Sequence, residues 1–151
     1  MVAASPPPPN FEVRPIALED AAVWERLRCA LWPDGVEDHH VETAAFFQGN
    51  LVEPIAVLVA VECGEIAGFA ELSIRFDVPS WIDQPVGYIE GLYVIPEARF
   101  RGIARLLLAS SRSWARGCGC AAVASDRAGR YVLDRRYERP ADAATCGEEF
   151  A

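Results

Sequence analysis

The chain has 151 residues, which is the size of a single domain. Apolar residues make up 52% of it, which excludes a disordered chain and is enough to build a core without disulfides or metals. The net charge of −8 argues against nucleic acid as a partner, because phosphate contacts need a basic face, and it suits a cationic small molecule.

The beginning of the chain predicts a leader, a short strand and a helix. Residues 1–10 include four consecutive prolines at positions 6–9, and we expect a mobile, polyproline-like segment outside the fold. Residues 11–15 alternate apolar and polar side chains, as a half-buried strand does. Residues 18–31 have helical periodicity, and the Trp-Pro-Asp-Gly segment at 32–35 ends the helix. The predicted inward face of this helix consists of Trp24, Leu27 and Leu31, with Val23 beside them.

Residues 36–48 predict a second helix, whose expected inward residues are Val41, Ala44 and Ala45, with Phe47 as a further candidate. The histidine pair of the chain, His39 and His40, falls in this segment. One of the two could carry a proton near pH 7, but solvated histidines are the favoured interpretation.

The middle of the chain predicts two strands joined by a tight turn. Residues 55–62 are almost wholly apolar, Cys63-Gly64-Glu65 forms a hairpin-like connection, and residues 66–76 continue as the next strand. Residues 77–85 contain prolines and other turn formers, so we expect a loop there.

A strand, a short basic loop and a helix follow between Gly87 and Arg116. Residues 88–95 are rich in aromatic and branched side chains, and Pro96 ends the run. Beyond Gly102, apolar residues recur with the helical period, at Ile103, Leu106, Leu107 and Trp114. Residues 121–125 predict a last strand. The expected fold is a mixed α/β (α+β) domain with the order β-α-α-β-β-β-α-β.

The loop between this strand and helix has the composition of an anion site. The first turn of a helix leaves backbone N–H groups unpaired, and the helix dipole adds partial positive charge there. Gly102 would let a phosphate group approach the backbone closely. The spacing R-x-x-G-x-A at 99–104 matches neither a P-loop nor a dinucleotide fingerprint, so neither of those ligands has support. The alternative is an ordinary strand–turn–helix with basic surface residues.

This loop and its flanking strand and helix resemble the R/Q-x-x-G-x-G/A signature of the GNAT N-acetyltransferase superfamily. In that superfamily the loop holds the pyrophosphate of acetyl-CoA, and the preceding strand pairs with the pantetheine arm. The resemblance implies a GNAT-like, mostly antiparallel sheet flanked by helices, with acetyl-CoA as co-substrate. The cofactor-binding residues that it implies are Leu92, Tyr93, Val94, Arg99, Phe100, Arg101, Gly102, Ile103 and Ala104.

Further segments resemble one branch of this superfamily, the aminoglycoside 6′-N-acetyltransferases. They are L-W-P-D at 31–34, E-L-S-I-R at 71–75, P-V-G-Y-I-E-G-L-Y-V at 85–94, W-A at 114–115 and A-S-D at 124–126. In that branch a Trp after the first helix, the Glu of the L-E-G strand and the Asp of A-S-D line the aminoglycoside pocket. The resemblance therefore implies that Trp32, Glu90 and Asp126 bind the substrate.

The chemistry of acetyl transfer fits these side chains. The reaction needs a held thioester, a group that takes the proton of the amine, and a donor for the thioester oxyanion, for which a backbone N–H of the strand at 88–94 is a candidate. Glu90 and Asp126 are the candidate catalytic residues, since a carboxylate can accept a proton and bind an ammonium. For Glu90 the alternative is the solvated face of the sheet. Asp126 could instead cap a helix, and Trp32 could be a core residue instead of a wall for a sugar ring.

Two features depart from the branch. Its members often carry an acceptor-contacting Tyr two or three residues after S-I-R, whereas residues 76–79 here are Phe-Asp-Val-Pro and Trp81 is the only aromatic substitute. Residues 127–151 lack the Asn, the Ser and the final strands that the branch has after A-S-D. We therefore expect a leader at 1–10, the acetyltransferase domain at 11–126, and an atypical tail at 127–151 that is truncated, frameshifted or diverged.

The five cysteines lie at positions 29, 63, 118, 120 and 146 and form no disulfide framework, so reduced thiols in a cytoplasm are expected. Cys118 and Cys120 have no further Cys or His nearby, and no metal site is predicted. No segment approaches the ~20 apolar residues that span a bilayer, and no signal-peptide pattern is present, so no membrane partner is expected.

The sequence thus predicts a cytoplasmic N-acetyltransferase whose acceptor is the 6′-amine of an aminoglycoside, which attacks acetyl-CoA directly. One alternative is an acetyltransferase for another amine, such as a polyamine or a protein N-terminus. The other is a truncated, non-catalytic protein that binds CoA weakly or only assembles with itself. A homodimer is expected, because missing final strands would leave an unpaired sheet edge.

Overall fold

The computed structural model describes residues 10–51, 53–127 and 130–133, without the side chains of 127 and 130–133. The helices are Ala21–Leu31 (α1), Val36–Phe47 (α2) and Ile103–Gly117 (α3), with short 3₁₀ turns at Leu18–Asp20 and Pro96–Ala98. The strands are Phe11–Pro15 (β1), Ala56–Glu62 (β2), Glu65–Arg75 (β3), Val86–Val94 (β4), Ala122–Arg127 (β5) and Arg130–Leu133 (β6). The predicted leader and residues 134–151 of the predicted tail lie outside the described residues.

Within these residues the strands form a single sheet in the spatial order β1-β2-β3-β4-β5-β6. Each neighbouring pair is antiparallel except β4 and β5, which are parallel and are connected through α3. At the β2–β3 turn Cys63 and Gly64 both have positive φ, 51° and 79°, which matches the twist of the flanking strands. The predicted fold class is confirmed, and the order of elements is the predicted one as far as β5.

The sequence did not predict β6. Its four residues pair antiparallel with the end of β5, from Ala124 opposite Leu133 to Arg127 opposite Arg130. Tyr131, Val132 and Leu133 are residues that favour strands. The segment was overlooked because it matches nothing in the resemblance, so the expectation that no strand follows A-S-D is wrong for these four residues.

The sheet is buried on both faces. On one face α3 packs through Ile103, Leu107 and Ala115 onto the strands, where Leu72 is almost fully buried. On the other face α1 and α2 cover Val57, Val59 and Phe69, and fully buried Trp24 meets the rings of Phe46 and Phe47 edge-on at 5.2 and 6.0 Å. Trp81 is also buried in the core, so the suggestion that it substitutes for the acceptor-contacting Tyr is wrong.

The inward face of α2 differs from the predicted one. Val41 and Ala44 are exposed, whereas His39 and Thr43 are buried and Phe46 packs on Trp24. His39 is therefore not solvated. Its burial is possible because its Nε2 hydrogen-bonds the carbonyl of Trp32 at 2.8 Å, which satisfies one ring nitrogen. His40 is exposed, as predicted, and lies 3.1 Å from Glu25.

Candidate active site

A bulge in β4 shapes the centre of the sheet. Glu71 of β3 pairs with Gly91, and the next residue, Leu72, pairs with Ile89, so Glu90 has no partner in the register. One extra residue in one strand is a β-bulge, which bends the strand and turns a side chain out of the regular pattern. Beyond this point β4 no longer pairs with β5, since their register covers only Val86–Ile89 against Ala122–Ser125.

A cleft of about 630 Å³ opens along the end of β4, beyond the residues that pair with β5. Its walls come from the end of β4, from the loop before α3 and from the end of α1. All the predicted acetyl-CoA residues except Arg101 line it: Leu92, Tyr93, Val94, Arg99, Phe100, Gly102, Ile103 and Ala104. The fold therefore brings the end of α1, the end of β4 and the loop before α3 onto one surface.

Arg101 is held outside this cleft. Its guanidinium donates to the carboxylate of Glu62 at 2.6 and 3.0 Å and lies 4.9 Å from the ring of Phe11. These contacts fasten the loop to β1 and β2. The Arg101 side chain is thus an anchor in this structure, and only its backbone is left for a ligand in the cleft.

The N-terminus of α3 faces the cleft with its backbone donors available. No side chain caps it and no acidic residue lies in its first turn. The first N–H groups of a helix have no partner within the helix, and they carry the positive end of its dipole. Gly102, the N-cap, has a φ of +91°, and a Cβ added there would meet nothing within 4 Å. Glycine is therefore needed at this position for its backbone conformation and not for lack of space.

Two side chains of the loop shape the entrance. The Nε of Arg99 donates to the carbonyl of Val94 at 2.9 Å, and its guanidinium lies 5.5 Å from the ring of Tyr93. Phe100 has a φ of +63° and is fully exposed at the rim of the cleft. A bulky residue with positive φ is strained, and such strain clusters at ligand sites.

Glu90, the extra residue of the bulge, accepts a set of hydrogen bonds. The Ser73 hydroxyl and the Nε of Arg75, the latter at 2.9 Å, donate to one carboxylate oxygen, and an Arg75 terminal nitrogen donates to the other at 2.7 Å. The hydrogen bond to Glu90 raises the pKa of Arg75. Only 18% of the Glu90 side chain is exposed, so this carboxylate is paired and mostly buried.

Asp126 is linked to the same group through Tyr88. The buried Tyr88 hydroxyl donates to the Asp126 carboxylate, and the Arg75 guanidinium lies 3.9 Å from the Tyr88 ring. Asp126 is exposed and lies within β5, so the alternative that it caps a helix is wrong. Arg75 and Tyr88 thereby connect the two candidate catalytic carboxylates, and we call Glu90, Arg75, Tyr88 and Asp126 the carboxylate cluster.

Trp32 ends α1 beside the bulge. A Cβ at Gly91 would overlap its indole ring, so the ring lies directly against the backbone next to Glu90. Trp32 is half-buried: it contacts the sheet, yet part of it remains on the surface. It lies beside Gly91, the residue that follows Glu90 of the carboxylate cluster.

Sequence reasoning overlooked Ser73, Arg75 and Tyr88 as site residues. A signal was present, because residues two apart on a strand share a face, so S-I-R puts Ser73 and Arg75 together. The register then places Tyr88 opposite Ser73. Without that register, the motif served only as part of the resemblance.

The described residues carry neither a metal cluster nor a membrane-spanning helix. Among residues 10–51, 53–127 and 130–133, no group of three or more His, Cys, Asp or Glu side chains could hold a metal ion. Over the same part of the chain no helix is long and apolar enough to cross a membrane.

The fold and the cleft define the class of protein. The sequence model of the Acetyltransferase (GNAT) family matches residues 21–132, which include the bulge, the loop before α3 and the carboxylate cluster. The chain belongs to the GNAT acetyltransferase family, as its motifs predicted.

The chain is also similar to curated relatives and to solved structures. The chain is 46% identical over 116 residues, 76% of either chain, to an aminoglycoside N(6′)-acetyltransferase type 1 of Klebsiella aerogenes. It is 35% identical over 127 residues to one of Stenotrophomonas maltophilia, covering 83% of this chain and 78% of that one. AAC(6′)-Iy in complex with the bisubstrate analogue CoA-S-monomethyl-acetylneamine has a TM-score of 0.71 at 29% identity, covering 93% and 92% of the chains. The same enzyme in complex with CoA has a TM-score of 0.69 at 28% identity, covering 90% and 82%.

Proposed function

We propose that this protein transfers the acetyl group of acetyl-CoA to the 6′-amine of an aminoglycoside antibiotic and so confers resistance to it. One observation carries the proposal: the carboxylate cluster includes the bulge residue Glu90, and the cleft begins two residues further along β4, at Leu92. The similarity to the Klebsiella aerogenes aminoglycoside N(6′)-acetyltransferase supports the choice of acceptor. Reduced thiols at Cys29, Cys63, Cys118 and Cys120 fit a cytoplasmic enzyme.

The cofactor half of the site is the cleft between the end of β4 and the N-terminus of α3, and it relies on backbone groups. The first-turn N–H groups of α3 hold the pyrophosphate of acetyl-CoA, because they are uncapped and carry the helix dipole. Residues 91–94 of β4 do not pair with β5, so their edge is open to the amides of the pantetheine arm. Leu92 and Ile103 supply apolar walls of the cleft.

The acceptor half of the site is the carboxylate cluster together with Trp32, and it relies on charged side chains. Asp126 is exposed and accepts a hydrogen bond from Tyr88, so it keeps a position in which it binds an ammonium group of the amino sugar. The Glu90 carboxylate is already paired with Arg75, so an ammonium group of the acceptor must share this carboxylate with Arg75. The catalytic roles proposed for Glu90 and Asp126 are to bind the amine and to take its proton, directly or through water.

The reaction is a direct transfer. The amine nitrogen attacks the thioester carbonyl, a C–N bond forms, the C–S bond breaks, and CoA leaves as the thiolate that receives a proton. A backbone N–H near the bulge stabilises the oxyanion. No acyl-enzyme is required by this arrangement.

A homodimer is also proposed. In the described sheet β6 is an edge strand of four residues, and an edge that is not covered invites pairing with another chain. Sedimentation at micromolar concentration should give a dimer, and a compact monomer would contradict it.

The experiment that tests the function is an acceptor screen with acetyl-CoA. Kanamycin and tobramycin should be acetylated at the 6′ nitrogen, located by NMR of the product. An aminoglycoside with a hydroxyl at the 6′ position and spermidine should be poor acceptors. Binding of acetyl-CoA without turnover of any aminoglycoside would overturn the proposal, and turnover of spermidine or a peptide amine would identify another amine as the acceptor.

A further inference from the structure

A buried ion pair lies behind the acceptor half of the site. Arg28 of α1 is 6% exposed and Glu71 of β3 is 1% exposed. The Nε of Arg28 donates to the Glu71 carboxylate at 3.1 Å, and its guanidinium also lies 2.6 Å from Glu42 of α2. Burying two charges costs free energy that their attraction often only just offsets, so such a pair calls for a reason other than stability.

The position of Arg28 supplies a reason. Its guanidinium lies over two indole rings, with the ring centres 5.5 Å away for Trp24 and 5.3 Å away for Trp32. Trp24 is fully buried and fixed by the core, whereas Trp32 is half-buried at the site. A stacked guanidinium that is held by two carboxylates has little freedom to move. Arg28 therefore connects the rigid core to the Trp32 ring.

The sheet also confines Trp32. Its ring lies against Gly91, the residue that follows Glu90 in the bulge. A shift of the ring would change the wall beside Glu90. The ring does not line the cleft of the cofactor half, so such a shift would leave that cleft intact.

We propose that Arg28 is a positioning residue of the acceptor half, which, held by Glu71 and Glu42, fixes the Trp32 ring beside Glu90 and so sets the affinity for the acceptor. This inference rests on the proposed function. Arg28 lies behind the site, touches neither substrate nor cofactor, and acts through Trp32.

Three charged groups face Glu71: Arg28 from α1, Glu42 from α2 and Glu90 from β4. Burial raises the pKa of Glu71 to about 7, and the two carboxylates add to this while Arg28 opposes it. Above pH 7 the ionised Glu71 holds Arg28 firmly. Below pH 7 the protonated form holds it less firmly, so Trp32 should become less ordered as the pH falls.

The test uses the full-length protein with Arg28→Met, Arg28→Lys and the control Arg14→Met. Arg14 is also paired with a buried carboxylate, Asp20 at 2.7 Å, but it lies on the edge strand β1, which does not neighbour β4. The measurements are acceptor KM and kcat with kanamycin, acetyl-CoA affinity by calorimetry, and the ¹⁹F spectrum of protein labelled with 5-fluorotryptophan. The Trp32 resonance is assigned with Trp32→Phe.

Arg28→Met should raise the acceptor KM about 10-fold and shift or broaden the Trp32 resonance, with acetyl-CoA affinity changed less than about twofold. Arg28→Lys should fall between the parent and Arg28→Met, because an ammonium keeps the charge and loses the planar stack. Arg14→Met should change none of these. Unchanged acceptor KM and an unchanged Trp32 resonance in Arg28→Met would overturn the proposal, as would an equal rise in acceptor KM in Arg14→Met.

A second variant covers the case in which Arg28→Met does not fold. Glu42→Gln removes the charge of the Arg28 partner that is 42% exposed. It should raise the acceptor KM and shift the Trp32 resonance, both by less than Arg28→Met does. No change in either would overturn the proposal. If the parent acetylates no aminoglycoside, the proposed function fails, and the ¹⁹F spectra still decide whether Arg28 fixes Trp32.

Discussion

The cofactor half and the acceptor half of the site use different groups of the chain. The cofactor half is made of backbone: an unpaired strand edge, a glycine at φ +91° and an uncapped helix N-terminus. The acceptor half is made of side chains that pair across strands, such as Ser73 and Arg75 with Glu90 and Tyr88 with Asp126. Backbone sites depend on local sequence, whereas paired side chains depend on the register. A substitution in one half should therefore impair the binding of one substrate and leave the binding of the other intact.

The largest expected effect comes from Gly102→Glu. It places a negative charge and a strained backbone at the N-terminus of α3, and acetyl-CoA affinity should fall by roughly 100-fold or more. Gly64→Glu is a matched control, because Gly64 also has positive φ, 79°, and open space around an added Cβ. It should lose similar stability and keep its acetyl-CoA affinity in calorimetric titration. Equal affinity in folded Gly102→Glu and the parent would contradict the anion site.

The next effect separates the two carboxylates of the acceptor half. A charge-assisted contact contributes about 1.5–3 kcal/mol, so Glu90→Gln and Asp126→Asn should each lower acceptor kcat/KM by roughly 10- to 150-fold. Glu90→Gln should be the more severe change, because it removes the nearer of the two carboxylates that pair with Arg75, at 2.7 Å against 3.9 Å for Glu53. A variant that takes away the catalytic base should recover activity at higher pH, where the amine is neutral.

The control for this prediction is Glu62→Gln. It also breaks a Glu–Arg pair, at 2.6 Å, but on the cofactor side. It should leave acceptor KM unchanged in steady-state assays. Parent-level kcat/KM in both Glu90→Gln and Asp126→Asn would remove these residues from the site.

Tyr88→Phe should give a smaller change. It deletes the hydroxyl that holds Asp126 and keeps the ring under Arg75, so the acceptor kcat/KM should fall by about 10-fold. The acetyl-CoA affinity should stay at the parent value. If steady-state assays and calorimetry show that Tyr88→Phe lowers both the acceptor kcat/KM and the acetyl-CoA affinity, Tyr88 serves both halves and the prediction is contradicted.

The smallest effect is on stability. The folded chain holds the Glu71 proton more tightly than the unfolded chain, because burial raises the pKa from 4.5 to about 7. The stabilisation is fully present below the unfolded pKa of 4.5 and is lost progressively as the pH rises from there through the folded pKa of about 7. Between pH 6 and pH 8 the parent should lose on the order of 1 kcal/mol in unfolding free energy relative to Glu71→Gln, measured with urea. A difference that stays constant with pH would contradict the assignment.

The same contrast explains what the sequence could predict. The strand, loop and helix of the cofactor half follow from local patterns, so the sequence alone identifies Gly102 and its neighbours. The bulge at Glu90, the pairing of Arg75 with it and the burial of Arg28 with Glu71 depend on contacts between residues up to 43 positions apart. The burial of His39 was missed because it depends on a hydrogen bond to the backbone carbonyl of Trp32, which the pattern of side chains does not show. Arg101 fits the loop pattern but is held by Glu62, which lies 39 positions away.

The most direct measurement is a calorimetric titration of acetyl-CoA, followed by kanamycin, into the parent, Gly102→Glu and the double variant Glu90→Gln/Asp126→Asn. The account predicts that Gly102→Glu loses acetyl-CoA binding, whereas the double variant binds acetyl-CoA within about twofold of the parent and no longer binds kanamycin measurably. Loss of acetyl-CoA in the double variant as severe as in Gly102→Glu, or kanamycin affinity equal to that of the parent, would contradict the claim that the two halves are separate.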